Sequence, residues 1–114
     1  YGYGECAEYH YLIMQLLGPN LVELFNFCGN RKFTISTVCM VAIQMLNRIE
    51  YFHKNHYVHR DIKPENFCIG YKKNANTVYL IDFGLCKRFI DKNGAHISIS
   101  QNKSLTVNSV YRAL

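Results

Sequence analysis

His59-Arg60-Asp61-Ile62-Lys63-Pro64-Glu65-Asn66, followed sixteen residues later by Asp82-Phe83-Gly84, is the stretch on which the reading of this chain turns. Its residue types match what moving a terminal phosphate demands. Phosphoryl oxygens carry negative charge, so a divalent cation has to be held against them. A hard cation takes oxygen ligands. Asp82 supplies a carboxylate and Asn66 an amide oxygen. Asp61 can accept or orient the proton of an attacking hydroxyl, and Lys63 can neutralise charge that develops on the transferring group. Pro64 stiffens the loop between them, and Gly84 lets the backbone turn sharply after the metal ligand. Asp-Phe-Gly alone is a weak signal. Two motifs in this order, with the strand-like Val78-Tyr79-Leu80-Ile81 leading into Asp82, form a specific one.

The residues around this stretch set its frame. Tyr9-His10-Tyr11-Leu12-Ile13-Met14 reads as a strand that Gly18-Pro19 ends. Asn20 with Glu23 makes a capping-box start for a short helix from Leu21 to Cys28, closed by Gly29. Thr34 or Ser36 caps a second helix of about twenty residues. Its apolar positions Val38, Val41, Ala42, Met45, Ile49 and Phe52 recur at helical spacing over a wide face, which predicts a buried helix ending at Lys54-Asn55-His56. Beyond it, Tyr57-Val58, Phe67-Cys68-Ile69 and Val78 to Ile81 read as brief strands separated by turns such as Lys73-Asn74-Ala75-Asn76. Asp91 to Asn108 is polar and reads as a long loop, a feature that in a compact domain is usually functional.

Composition narrows the class. The 114 residues are enough for one small domain, and a hydrophobic fraction of 49% excludes a disordered tail. The longest apolar run, Val38 to Ile49, is broken by Gln44, Asn47 and Arg48, so no membrane span is expected. The sequence starts at Tyr1 rather than Met and stops at Leu114 without a terminal signature, and is expected to be an internal piece of a longer reading frame. The net charge is +5, with no Lys or Arg before Arg31 and short basic pairs at Lys72-Lys73 and Lys87-Arg88. That pattern suits an anionic partner, a nucleotide or an acidic substrate, better than nucleic acid. Five cysteines without a C-x-x-C pair argue against zinc or a disulfide framework. They read as buried free thiols of a reducing compartment, cytoplasmic or nuclear.

With its two motifs the chain matches the protein-kinase signature, and the roles given above to Asp61, Lys63, Asn66 and Asp82 are the ones that this resemblance implies. More narrowly it resembles the casein kinase I family of serine/threonine kinases. Leu16-Leu17-Gly18-Pro19, Leu24-Phe25-Asn26-Phe27, Arg48-Ile49-Glu50-Tyr51, His59 through Phe67 and Asp82-Phe83-Gly84-Leu85 carry that resemblance, which spans essentially the whole chain. It implies an α+β, kinase-like fold in part: residues 1–114 as a catalytic-domain fragment from hinge strand to activation segment. Two large-lobe helices, the catalytic loop and short strands would belong to it, with most of the small lobe and the C-terminal helices missing.

By the same resemblance the cofactors are ATP and Mg2+, and the partners are protein substrates, acidic or pre-phosphorylated ones among them. Met14 would be the gatekeeper, Gln15-Leu16-Leu17 the hinge with Gln15 and Leu17 bonding the adenine edge, and Cys68 and Ile81 the floor and back of the base pocket. Asp61 and Lys63 would be catalytic, Asn66 and Asp82 metal ligands, and His59 and Phe83 packing residues.

Departures from the family set the alternatives. No lysine is present for the α- and β-phosphates, so this stretch alone is expected to be inactive. Gly2-x-Gly4-x-x-Ala7 lacks the context of a phosphate loop. Asn102-Lys103-Ser104-Leu105-Thr106 fits the family, but Val107-Asn108-Ser109-Val110-Tyr111 stands where it has Gly-Thr-Ala-Arg-Tyr, and Cys68 where leucine is usual. A degenerate kinase that binds nucleotide or partners without turnover is therefore the second reading. A metal module built on His53, His56 and His59 is the third, although the helix end near Lys54 would keep those residues off a common face.

Overall fold

The computed structural model describes residues 1–97. Seven short strands and two helices follow in the order β1 (Gly2–Cys6), β2 (Tyr9–Ile13), β3 (Leu17–Asn20), α1 (Leu21–Phe27), α2 (Ile35–Lys54), β4 (Tyr57–Val58), β5 (Phe67–Gly70), β6 (Val78–Leu80) and β7 (Lys87–Arg88). β1 and β2 form an antiparallel hairpin, so Gly2 and Gly4 lie in a strand and not in a phosphate loop. β3, β5 and β6 form the central sheet in that order, and β4 pairs with β7.

Gly18-Pro19 does not end a strand, as expected from its composition; it lies inside β3. The sheet order explains why. β3 is an edge strand, where a proline need not donate to a ladder. The pairing of β3 with β5 also shifts register between Leu17 and Asn20. Gly18 runs so close to β5 that an added Cβ would sit 2.9 Å from the Gly70 carbonyl oxygen. The pair is thus a bulge with a close backbone approach.

The helix starts are local chemistry. Asn20 Oδ1 accepts the backbone N–H groups of Val22 and Glu23 at 3.0 and 2.9 Å, and Glu23 Oε2 accepts the Asn20 N–H at 2.9 Å, a complete capping box. Thr34, not Ser36, caps α2 through its hydroxyl to the Thr37 N–H at 3.1 Å. α1 ends on an extended Cys28, one residue before the expected Gly29, with the Cys28 N–H donating to the Phe25 carbonyl at 3.2 Å.

The core is small: Leu21, Phe67 and Val78 are buried together, with Leu24, Val41, Met45, Ile49 and Leu80 packed against them. α2 was expected to be buried on a wide face, and it is not. Of the apolar positions on that face, Val41, Met45 and Ile49 pack on the core, whereas Val38 is 50% exposed and Ala42 is exposed; Ile43 and Leu46, off that face, are also exposed. The cysteines also depart from expectation. All five are free, but Cys68 alone is buried, and Cys6 and Cys39 are exposed.

The polar residues that interrupt α2 close the free edge of β6. Gln44 Oε1 accepts the Val78 N–H at 2.9 Å, its Nε2 donates to the Asn76 carbonyl at 3.0 Å, and Arg48 Nε donates to the Val78 carbonyl at 3.0 Å. Two side chains one helical turn apart thus satisfy backbone groups that a fourth strand would otherwise claim. Core and edge should separate cleanly in mutants. Phe67→Ala empties a fully buried site and should cost about 3–5 kcal/mol, whereas Ile43→Ser should stay within about 0.5 kcal/mol. Urea unfolding followed by circular dichroism measures both, and equal losses would contradict this packing.

Candidate active site

Between the end of β4 and the start of β5 the chain makes no regular element except one 3-10 turn at Pro64–Asn66. Side chains hold that loop. Asn66, buried, uses its amide Nδ2 twice, donating to the Asp61 carbonyl at 2.8 Å and to Asp61 Oδ2 at 3.0 Å. Lys63 Nζ donates to the same carboxylate oxygen at 2.7 Å. Asp61, Lys63 and Asn66 therefore form one hydrogen-bonded unit. The Lys63 hydrogen bond holds the Asp61 carboxyl below its ordinary range; the Asn66 donor adds to this, and burial opposes it. Asp61 in turn pushes the Lys63 ammonium up, with smaller help from Glu65 and Asp82.

A second set of bonds ties this loop to the end of β6. The Ile81 N–H donates to the Asn66 carbonyl at 2.9 Å. His59, also buried, places Nε2 at 3.0 Å from the Ile81 carbonyl and receives the Asp61 N–H on Nδ1 at 3.4 Å. A carbonyl on one nitrogen and an N–H on the other fix the neutral tautomer protonated at Nε2. The His59 ring lies against Phe52 and Phe83, and Phe83 stacks on Phe52 at 5.4 Å. His59 is thus engaged by backbone and rings, and His53 and His56 face Phe89 instead. Among the described residues no group of three His, Cys, Asp or Glu is placed to hold a metal.

Two non-glycine residues of the site have left-handed backbones: Arg60 at φ 67° and Asp82 at φ 62°. Such positions cost about 1–3 kcal/mol each and persist only where neighbours over-determine them. At Asp82 those neighbours are the two bonds to Ile81 and its own Oδ1, which accepts the Gly84 N–H at 3.3 Å. At Arg60 the side-chain Nε donates to the Leu85 carbonyl at 2.5 Å.

Asp82 also lines a cleft of about 930 Å3. Met14, Gln15, Leu17, Cys68 and Ile81 line the same cleft. Gln15 is held by Nε2 donating to the Tyr79 hydroxyl at 3.2 Å. Burial, reinforced by the charge of Glu23, pushes the Cys68 thiol up, so it is a neutral wall. Sequence reasoning missed Leu12 and Ile13 as lining residues; their only signal is that they precede Met14. It also took Phe83 for packing alone, whereas Phe83 packs and lines the cleft as well.

Asp61, Lys63 and Asn66 lie beyond the cleft walls, and Asp82 belongs to both regions because its charge is felt at Lys63. The arrangement puts an apolar slot on one side of a carboxylate and a Lys–Asp–Asn unit on the other. The donor set fits a hard divalent cation. Asn66 has spent both N–H groups on Asp61, which leaves its amide oxygen as the free lone-pair donor, and Asp82 is an exposed carboxylate. The expected activation-segment residues Asn102 to Tyr111, with Val107, Asn108 and Val110, lie outside the described residues.

The lowered Asp61 pKa has a measurable consequence. Its stabilising contribution is present above the ordinary value of 3.8 and is lost as pH falls through the depressed folded value. Carbon-detected NMR of the Asp61 carboxyl should show a midpoint below 3.8, moving up in Lys63→Met. A midpoint at or above 3.8 that ignores that change would contradict the Lys63 contact. Compared with family models, residues 1–113 match the one described as protein kinase domain.

Proposed function

The chain belongs to the protein kinase domain family, and on that premise we propose that it is the hinge-to-activation-segment part of a casein kinase I-like serine/threonine kinase. Residues 1–114 are read as one partial catalytic domain. The observation that carries the proposal is the placement of Asp82 between the apolar cleft and the Asp61–Lys63–Asn66 unit.

In this reading the adenine of ATP lies in the cleft, between Met14, Gln15 and Leu17 on one wall and Cys68 and Ile81 on the other. Asn66 and Asp82 hold Mg2+, which supplies charge neutralisation at the phosphate oxygens. Asp61, kept ionised by Lys63 and Asn66, accepts a hydrogen bond from the serine or threonine hydroxyl and orients it. Lys63 stabilises charge on the transferring group from the other side of the same carboxylate. His59 transmits position: its neutral ring links the Asp61 N–H to the Ile81 carbonyl, one residue before Asp82. Among the given residues no Lys or Arg precedes Arg31, so we expect this stretch to bind nucleotide without efficient turnover. Acidic or pre-phosphorylated protein substrates remain part of the proposal through the resemblance alone.

The test is nucleotide binding by the chain, read as thermal stabilisation. ADP with Mg2+ should raise the melting temperature, and ADP with EDTA should raise it less. Ligand at about a hundred times its dissociation constant adds about 2.7 kcal/mol. Asp82→Asn keeps a residue that tolerates the left-handed backbone but removes the charge, so the Mg2+-dependent part should vanish. Cys68→Trp fills the slot and should abolish the whole shift. An unchanged Mg2+ effect in Asp82→Asn would contradict the metal assignment.

A further inference from the structure

The Lys72-Lys73 pair takes no part in the site above, yet its backbone is built with unusual care. The turn after β5 is closed by Asn74 N–H to the Tyr71 carbonyl at 3.1 Å, Ala75 N–H to Lys72 at 3.0 Å and Thr77 N–H to Asn74 at 2.9 Å. Gly70 N–H donates back to the Thr77 carbonyl at 2.9 Å, and Gly70 itself passes so close to Asn74 that any Cβ would collide with its backbone. Lys72 sits at φ 51°, a left-handed position that ordinarily favours glycine. A strained lysine held in a tight turn invites a functional reading.

That turn forms one side of a second pocket, of about 460 Å3, which adjoins the cleft at Gln15 and Leu16. Tyr71, Lys72, Lys73 and Asn74 face Tyr1, Gln15 and Leu16 across it. No carboxylate lines this pocket, and neither lysine has an ion-pair partner among the described residues. Lys72 Nζ lies 5.3 Å over the Tyr71 ring, which positions the ammonium without neutralising it. Leu16, 70% exposed, provides an apolar surface beside these charges.

We propose that this pocket docks an acidic peptide segment of a partner protein. Its carboxylates would be taken by Lys72 and Lys73, and an adjoining apolar side chain would lie on Leu16 and Tyr71. Charge complementarity and the apolar neighbour together favour a peptide. A duplex nucleic-acid site gathers about six to ten phosphate contacts, and two cations fall well short of that. The pocket shares Gln15 and Leu16 with the cleft, but none of the metal or catalytic residues lines it.

Fluorescence anisotropy of a fluorescein-labelled Glu-Glu-Leu-Glu-Glu peptide, titrated with the full chain at low salt, tests it. Saturable binding is expected, weakened about tenfold by the double change Lys72→Glu and Lys73→Glu. Lys73→Gln alone leaves the strained position intact and should cost about threefold. Leu16→Ser should also weaken binding, whereas reversing the other basic pair, Lys87→Glu with Arg88→Glu, should leave it within about twofold. Unchanged affinity in both Lys73→Gln and the double variant would overturn the proposal. So would equal loss on reversing Lys87 and Arg88, which would mark general charge attraction. Displacement of the peptide by a single-stranded oligonucleotide at lower concentration than by unlabelled peptide would overturn it in favour of nucleic acid.

Discussion

The two hydrogen bonds from the buried Asn66 amide to Asp61 are the constraint on which the site depends. They fix a loop that has almost no regular structure of its own. They orient the carboxylate toward Lys63 and leave one amide oxygen free. The Asn66 backbone carbonyl then accepts from Ile81, so the same residue anchors the strand that delivers Asp82. A buried amide without such partners would cost about 1–3 kcal/mol per unsatisfied group. With both N–H groups taken by Asp61, that liability becomes a fixed geometry.

The fold supplies a rigid wall for this loop and little more. Phe67 and Val78, adjacent to the two motifs, are the most buried side chains, and both sit in the central sheet. Stability is thus concentrated directly beneath the site. Away from it, the outer face of α2 and the β1–β2 hairpin remain exposed, with Leu46, Tyr3 and Leu12 all more than half accessible. No helix among the described residues is long and apolar enough to cross a membrane.

Much of this was legible in the sequence, for local reasons. The Asn20/Glu23 pair announces its helix because a capping box is contained within four consecutive residues. The helix over Ile35–Lys54 follows from spacing, and Asp61, Lys63, Asn66 and Asp82 stand out because their chemistry is shared and their order specific. What the sequence hid was set by distant partners. Pro19 reads as a strand end until β3 is known to be an edge. The Val38–Phe52 pattern reads as a buried helix because periodicity reports which residues are apolar, not which find a partner. Gln44 and Arg48 look like interruptions, yet they close the edge of β6 across 34 and 30 residues of sequence. The left-handed backbones of Arg60 and Lys72 carry no sequence signal, and that of Asp82 only the weak one that Asp tolerates it better than most residues.

In the proposed reading, Asn66 and Asp82 form one oxygen site beside the cleft. Paramagnetic Mn2+ reports it directly by broadening NMR signals of nearby nuclei. With ADP present, substoichiometric Mn2+ should first erase the Asn66 side-chain amide and the backbone signals of Asp82 and Gly84. The signals of His53, His56 and His96 should persist. Broadening centred on those histidines, or an Asn66 amide that survives saturating Mn2+, would contradict the account.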